Sequence, residues 1–251
     1  MKLRNIFYSI LLSVIVFACG QNSTDSVAPV NQNPVTVGQG GSLSRFAIVR
    51  DYLYVLSNYS VIAFSISNPD SLQESGTTFI NTLGNVETIF STDSNLFFGS
   101  TVGMLIYGLT NPSKPVFISN YSHIQSCDPV VADSNLAYVT LRTGTKCNRG
   151  YNSLEIVNIK NLSNPTLIKS YGMTHPVGLG KLDGQLMVCD DGLKVYNVAD
   201  PNNIKLLQTF NINAMDLIPT TKSIIVTGSD GIYQYKLQNG VLTLLSKIAV
   251  Q

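Results

Sequence analysis

The chain has 251 residues, which is enough to bury a sizeable core, and single all-β domains of this length are common. Its net charge is +1, only 12% of its residues are charged, and its sixteen Lys and Arg are scattered, which excludes the basic stripe of a nucleic-acid binder. A hydrophobic fraction of 44% excludes a disordered chain, and twelve Tyr and ten Phe favour strands over helices.

The N-terminus reads as an export signal. A basic start at residues 1–4 precedes an apolar run at 6–17, which is shorter than the roughly 20 residues of a membrane span and fits a signal-peptide core. Ala18 followed by Cys19 resembles the lipobox of bacterial lipoproteins. That resemblance implies a signal peptide over 1–18 and a lipidated, palmitate-bearing Cys19 as the new N-terminus. Ordinary signal cleavage beside an incidental cysteine is the alternative.

Residues 19–41 read as a lipidated cysteine followed by a flexible tether, because they are rich in Gly, Ser, Asn and Gln and lack apolar periodicity. A short run at 35–38 is the one candidate strand there; it would complete the last unit of the fold, or no such exchange occurs. Gly20, rather than Asp, follows Cys19. The lipoprotein resemblance therefore implies the outer membrane of the cell envelope, with membrane contact through the lipid alone.

The rest of the chain is built from a repeat. Five segments begin with Gly or Ser and then alternate apolar residues, as a strand with one buried face does. A turn signal follows each of them: Asn-Pro three times, then Asp-Pro and Asn-Gly. Two short strands precede each segment, and an apolar strand follows each turn, more weakly in the first copy. The five segments are 60–64, 103–107, 153–157, 192–196 and 231–235.

Each unit therefore holds four short strands, and the units recur about every 42 residues, a period typical of propeller blades. We predict an all-β protein with a single β-propeller of about five four-stranded blades over residues 42–251. A β-sandwich does not predict five copies of one strand-turn order.

The sequence at 192–201, Gly-Leu-Lys-Val-Tyr-Asn-Val-Ala-Asp-Pro, resembles the LVIVD repeat of bacterial propeller proteins. Segments 127–133, 137–142, 177–180 and 230–235 are similar to lipoprotein members of that family from Bacteroidetes. The resemblance spans about residues 43–251 and implies the fold, without an agreed activity. Copies one and two depart from it at 65–66 and 108–109.

In a propeller, the loops that enter the inner strands share one face with the loops between second and third strands, and such loops are the usual seat of binding. That face collects much of the scarce charge and is our candidate ligand-binding face. The alternative is a structural role, in which these acids cap turns or accept hydrogen bonds from backbone amides of neighbouring blades. Calcium held by the Asp residues at 190, 191 and 230 is a further alternative. The candidates are Glu87, Asp128, Arg142, Tyr151, His175, Asp190, Asp191, Asp216 and Asp230.

Three cysteines follow Cys19. An exported domain meets oxidising conditions, so we expect a disulfide between Cys127 and Cys147, which lie on the same predicted face. Cys189 ends a predicted strand and is expected to be a buried, small hydrophobe. No Cys-x-x-Cys spacing occurs, and no metal site or cofactor is predicted.

No nucleophile elbow or phosphate-binding glycine loop is present in the sequence. The expected function is a monomeric, non-catalytic binding or scaffolding propeller that holds a protein or glycan partner at its mouth. The alternative is a carbohydrate-active enzyme, a hydrolase or lyase, that uses carboxylates of the same face.

Overall fold

The computed structural model describes residues 40–68, 70–80, 85–122, 129–143, 151–221 and 223–250. Its twenty described strands form five antiparallel sheets of four strands, as predicted for a five-bladed propeller. The strands are β1 (Phe46–Val49), β2 (Tyr52–Leu56), β3 (Ser60–Ser65), β4 (Gln73–Phe79), β5 (Val86–Ser91), β6 (Asn95–Ser100), β7 (Gly103–Gly108), β8 (Val116–Ser122), β9 (Val130–Ala132), β10 (Leu136–Leu141), β11 (Ser153–Asn158), β12 (Thr166–Gly172), β13 (Pro176–Leu182), β14 (Gln185–Asp190), β15 (Leu193–Asn197), β16 (Lys205–Phe210), β17 (Ala214–Pro219), β18 (Ile224–Gly228), β19 (Gly231–Gln238) and β20 (Val241–Ala249).

Every blade is a meander of four consecutive strands, and the first strand of each blade is its inner strand. The inner strands contact one another in the order β1, β5, β9, β13, β17. We call the end at which the inner strands begin the mouth and the opposite end the base. Within the described residues, no helix is long and apolar enough to cross a membrane.

The small residue that opens each repeat has a steric cause. Gly103, Gly192 and Gly231 precede or open third strands with φ of 150°, 125° and 153°. A Cβ atom at these positions would lie 2.3, 2.6 and 2.4 Å from a carbonyl oxygen of the fourth strand. Glycine is therefore required where the third strand begins in blades two, four and five, whereas Ser60 and Ser153 open the third strands of blades one and three.

The blades repeat one irregularity as well as one strand order. The pairing of third with fourth strand shifts register once in every blade, after the third or fourth residue of the third strand, which twists the outer edge in the same way five times. The shifts lie between Ala63 and Phe64, Ile106 and Tyr107, Ile156 and Val157, Val195 and Tyr196, and Gln234 and Tyr235.

Apolar side chains fill four of the junctions between consecutive blades. Each holds its own cluster of fully buried apolar side chains. A side chain of one blade also donates a hydrogen bond to a backbone carbonyl in the turn between third and fourth strands of the next. The donor and acceptor pairs are Tyr54 and Pro112 (2.8 Å), Ser119 and Leu162, Tyr171 and Pro201 (2.9 Å), and Gln185 and Gly240 (2.7 Å).

The fifth junction, between blades five and one, differs, and we call it the seam. Blade one turns Val55 and Ile62 away from blade two, and both are half-buried. Blade five turns Ile225 away from blade four, and it is half-buried too. No hydrogen bond joins the two blades among the described residues. Blade five takes all four of its strands from residues 214–249, and the candidate strand at 35–38 lies outside the described residues.

Candidate functional site

Residues 40–44, which we call the channel strap, run between the inner strands. Ser42 is buried, and its hydroxyl donates to Oδ1 of Asp216 at 2.9 Å and accepts from the amide of Leu179 at 2.8 Å. The amide of Ile89 donates to the carbonyl of Ser44 at 2.9 Å. The strap therefore joins the inner strands of blades two, four and five across the channel.

The strap runs from base to mouth. Gly40 lines a cavity at the base together with Asp183 of the β13–β14 hairpin. Leu43 lines a cavity at the mouth together with Glu87. Between them the amide of Ser44 donates to the carbonyl of Gly41 at 3.0 Å, a turn that sends the chain into β1. Gly40 and Gly41 belong to the tether in the sequence-based division, and here they contact the propeller.

Asp216 holds the strap. Its Oδ2 accepts from the amide of Leu43 at 3.1 Å, in addition to the bond from Ser42 to Oδ1. Burial raises the pKa of this carboxyl, and hydrogen bonds from the backbone of Leu217 and from Leu43 and Ser42 oppose that rise without cancelling it. Of the two interpretations open for Asp216, bonding to its own chain is the one that its contacts support.

Asp190, at the end of β14, is also bonded internally. It is 1% exposed; its Oδ1 accepts from the amides of Thr174 and His175 at 2.9 and 2.5 Å, and its Oδ2 accepts from Lys194 at 2.7 Å. A buried carboxylate with three donors is satisfied. Asp190 fixes the loop that enters β13 and offers little to a ligand.

Asp230 has partners of its own as well. Its Oδ2 accepts from the hydroxyl of Tyr233 at 2.6 Å and from Lys247 at 2.8 Å. The hydrogen bond from Lys247, followed by that from Tyr233, lowers the pKa of the Asp230 carboxyl. Lys247 also lies 4.8 Å from the centre of the Tyr233 ring. These contacts of Asp230, Tyr233 and Lys247 hold the β18–β19 turn against β20.

His175 and Asp191 remain open to solvent and face each other. Nδ1 of His175 lies 3.1 and 3.3 Å from the two carboxylate oxygens of Asp191. Their side chains are 66% and 55% exposed, so a ligand can reach both. Asp191 itself has a φ of 47° in the tight turn before β15, a conformation that Asp tolerates better than most residues.

The ends of the long blade-three loop are pinned beside this pair. Oδ1 of Asn152 accepts from the amide and the hydroxyl of Thr143 at 2.8 and 3.0 Å, and its amide group donates to the carbonyl of Thr174. Tyr151, next to Asn152, is 81% exposed. The sequence analysis missed Asn152 and Thr143, because only the pairing of loop ends reveals their role.

The mouth has a small central cavity of about 70 Å³. Glu87 and Arg142 line it with Leu43 of the channel strap. A bulge in β5 sets Glu87 outside the hydrogen-bond ladder, and bulges commonly re-aim a side chain in this way. The structure thus brings two predicted residues, Glu87 and Arg142, to one cavity.

Several predicted residues lie outside the described residues: Cys19, Asp128, and the two cysteines of the expected disulfide, Cys127 and Cys147. Cys189 is a buried free thiol, as expected, and burial raises the pKa of that thiol. Among the described residues, no group of three or more His, Cys, Asp or Glu is placed to hold a metal ion.

The larger described cavities lie at the base, which sequence reasoning did not single out. One of about 200 Å³ is lined by Phe90, Leu179 and Pro219. A more open one of about 550 Å³ adjoins it and shares Phe90. At their border Lys181 pairs with Asp133 at 3.0 Å. Burial alone would raise the pKa of Asp133, but backbone hydrogen bonds and Lys181 lower it overall.

Comparisons with known proteins bear on the fold. No protein-family model matches the chain, and no curated protein matches it in sequence. Solved structures do resemble it. A functionally unknown protein from Desulfotomaculum acetoxidans DSM 771 has a TM-score of 0.68 and 12% identity, over 86% of this chain and 72% of that one. A protein from Lactobacillus plantarum has a TM-score of 0.61 and 14% identity, over 80% and 69%.

A periplasmic gluconolactonase from Pseudomonas aeruginosa has a TM-score of 0.58 and 16% identity, over 80% of this chain and 68% of that one. The chain is a β-propeller. At these identities the likeness extends to the fold alone. Membership of the LVIVD-repeat family stays a prediction.

Proposed function

We propose that this propeller is an exported lipoprotein of the cell envelope, of the LVIVD-repeat type, that binds a protein or glycan partner at its mouth without catalysis. The observation that carries the proposal is the filled channel. The channel strap occupies the centre of the propeller, and the cavity that the described residues form beside it at the mouth measures about 70 Å³. Sites for small molecules usually enclose about 300–1,000 Å³. The mouth therefore suits a partner that lies across it.

The polar part of this binding face is smaller than the sequence alone suggests. Asp190, Asp216 and Asp230 are engaged by their own chain. Tyr151 and His175 are exposed at the mouth, and Arg142 lines its cavity. Loops carried on a rigid sheet scaffold are a common binding surface.

Cross-linked capture from native envelope tests the proposal. The bait variants are wild type, a mouth variant with Arg142→Ala, Tyr151→Ala and His175→Ala, and a base variant with Leu72→Ala, Asp93→Ala and Lys160→Ala, each checked as folded by circular dichroism. We expect one partner to be retained by wild type and the base variant and lost from the mouth variant. Equal capture by all three baits, or no capture by wild type, contradicts the proposal.

The anchor has its own test. Cells expressing the full chain are labelled with radioactive palmitate, and we expect label on wild type and on Ser9→Ala but none on Cys19→Ser. Lipid attachment through a single residue predicts this loss. Label that persists on Cys19→Ser would show that the anchor is not at this thiol.

A further inference from the structure

Seven large apolar side chains are exposed at the mouth on blades one and five, and we call them the apolar rim. Over blades two to four, Tyr151 is the only large apolar side chain exposed at the mouth among the described residues. Among the residues that the structure describes, the exposed apolar side chains of the mouth therefore lie mostly on blades one and five. The apolar rim consists of Phe46, Tyr59, Phe79, Met215, Ile232, Ile248 and Val250.

The blade-five part of the apolar rim connects to the channel strap. The amide of Leu43 donates to Asp216, the residue after Met215. Met215 is the extra residue of a bulge in β17, equivalent to the bulge at Glu87 in β5, and it is 50% exposed. The same structural position thus carries an acid on the polar side of the mouth and an apolar residue on the other.

Two hydrogen bonds hold the loops that carry the blade-one part of the apolar rim, and one of them comes from Arg45, the residue after the strap. The guanidinium of Arg45 donates to the side chain of Asn58 at 3.3 Å, beside Tyr59. The amide of Ile80 donates to the carbonyl of Tyr59 at 2.8 Å, which brings the chain at Phe79 and the loop at Tyr59 together. Tyr59 and Phe79 are 62% and 80% exposed.

One cation accompanies this apolar surface. Arg45 is exposed, and no carboxylate pairs with it among the residues that the structure describes. The nearby acids are already engaged, Asp216 by the channel strap and Asp230 by Lys247. The apolar rim therefore presents a hydrophobic surface with one unpaired positive charge.

We propose that the apolar rim docks a segment of a partner protein that carries apolar side chains beside an Asp or Glu. This rests on the proposed function, since it names the partner of the same mouth. Contiguous exposed apolar side chains mark protein interaction sites, and an acid on the partner would complement Arg45.

Two other occupants fit less well. Two copies of this chain placed rim to rim would bring two Arg45 cations into one interface, which like-charge repulsion disfavours. A glycan needs many hydrogen-bond partners for its hydroxyl groups, and among the described residues the apolar rim offers few of them: Arg45, Asn58 and the hydroxyl of Tyr59.

A library of random 12-residue peptides displayed on phage is the probe, panned on the full-length protein. We expect enrichment of peptides with two or more large apolar residues and an Asp or Glu. The leading peptide, resynthesised, should bind wild type, and its Kd should rise at least tenfold for Tyr59→Ser with Phe79→Ser and for Arg45→Glu. Replacing the acid of the peptide by Lys should restore binding to Arg45→Glu.

The matched controls change equally exposed residues elsewhere, Leu72→Ser with Leu206→Ser for the apolar pair and Lys160→Glu for the charge, and should leave Kd within twofold. The inference is overturned if no peptide is enriched above an unrelated immobilised protein, or if the controls weaken binding as much as the rim variants. It is also overturned if light scattering shows a wild-type dimer that the rim variants lose.

The outcomes for the proposed function can be distinguished from those for the apolar rim. The Arg142, Tyr151 and His175 variant should keep the peptide affinity of wild type. Loss of envelope capture in that variant without any enriched peptide supports the mouth and overturns the apolar rim. Enriched, rim-dependent peptides without any envelope capture support the rim and contradict the broader proposal.

Discussion

Gly41 is the residue of the channel strap with the least room for a side chain. A Cβ there would lie 2.1 Å from Oδ2 and 2.8 Å from Cγ of Asp216, whose carboxylate is held by Ser42 and Leu43. Gly41→Ala is expected to lower the free energy of unfolding by about 1–3 kcal/mol in urea denaturation, as overpacking does. Gly172→Ala, with no heavy atom within 4 Å, should change it by less than about 0.5 kcal/mol. Equal losses would contradict this account of the strap.

Asp216 should give the fold a recognisable pH dependence. Because burial raises the pKa of this carboxyl in the folded chain above its usual 3.8, the folded state holds the proton more tightly than the unfolded state. The stability that Asp216 contributes is therefore fully present below about pH 4 and is lost as pH rises through the raised pKa. The melting temperature of wild type, relative to Asp216→Asn, should fall between pH 4 and pH 7. A constant difference would show that the carboxyl is not desolvated.

The outcome for these acids shows what the sequence can and cannot predict at the residue scale. The repeat pattern placed Asp190, Asp216 and Asp230 at one end of the propeller, and each of them was open to both a structural and a ligand-binding interpretation. Choosing between them required contacts that no local pattern encodes, such as the bond between Asp216 and Ser42 across 174 positions. The burial of Cys189 was predictable, because it follows from an apolar strand alone.

At the scale of the blade, hydrogen bonds from side chains of one sheet to the turn of the next hold neighbouring sheets together, and we call these bonds latches. The hydroxyl of Tyr171 donates to the carbonyl of Pro201 at 2.9 Å and accepts from the amide of Ile204 at 3.2 Å. Tyr171→Phe leaves both backbone groups without this partner and is expected to cost about 1–3 kcal/mol of unfolding free energy. Tyr151→Phe, at an 81% exposed ring, should cost nothing measurable in the same urea titration. A neutral Tyr171→Phe would mean that water replaces the latch.

Most of the strands were predictable to within two residues, although β19 runs to Gln238, three residues beyond the predicted segment. Glycine before the third strand, period-2 alternation and turn pairs such as Asn239–Gly240, whose φ values of 53° and 76° suit a tight hairpin, are all local signals. The latches were not predictable, because Tyr54 or Tyr171 reads as one more apolar strand residue. Their hydroxyl partners lie in the turn of the next blade.

At the scale of the whole molecule, the seam should be the weakest junction. Ile225 in blade five and Met187 in blade four occupy the same place in their second strands, yet Ile225 is half-buried and Met187 fully buried. Met187→Ala is expected to cost about 2–5 kcal/mol of unfolding free energy, the range for buried Met. Ile225→Ala should cost less than Met187→Ala, since part of the Ile225 side chain is already exposed in the folded chain. Equal losses of unfolding free energy in chemical denaturation would show that the seam is packed as tightly as the other junctions.

The number of blades followed from counting repeats, but the seam did not. Ile225 is as apolar as its counterparts in the other blades, and nothing in the alternation marks it as a residue beside an open junction. The position of the channel strap was equally hidden, because Gly-Gly-Ser reads as linker. Its role depends on the inner strands of three distant blades meeting around it.

The channel strap also decides how mechanical load enters the molecule. A membrane anchor at Cys19, as proposed, pulls on the propeller through Gly40 at the base, while a partner holds it at the mouth. Tension then runs along the propeller axis and meets the hydrogen bonds of Ser42 and Leu43 with Asp216 before it meets any sheet. When these bonds break, the five strap residues can straighten to at most about 17 Å, their fully extended length. The strap would then lengthen before the blades, or the contacts with the partner, carry the full load.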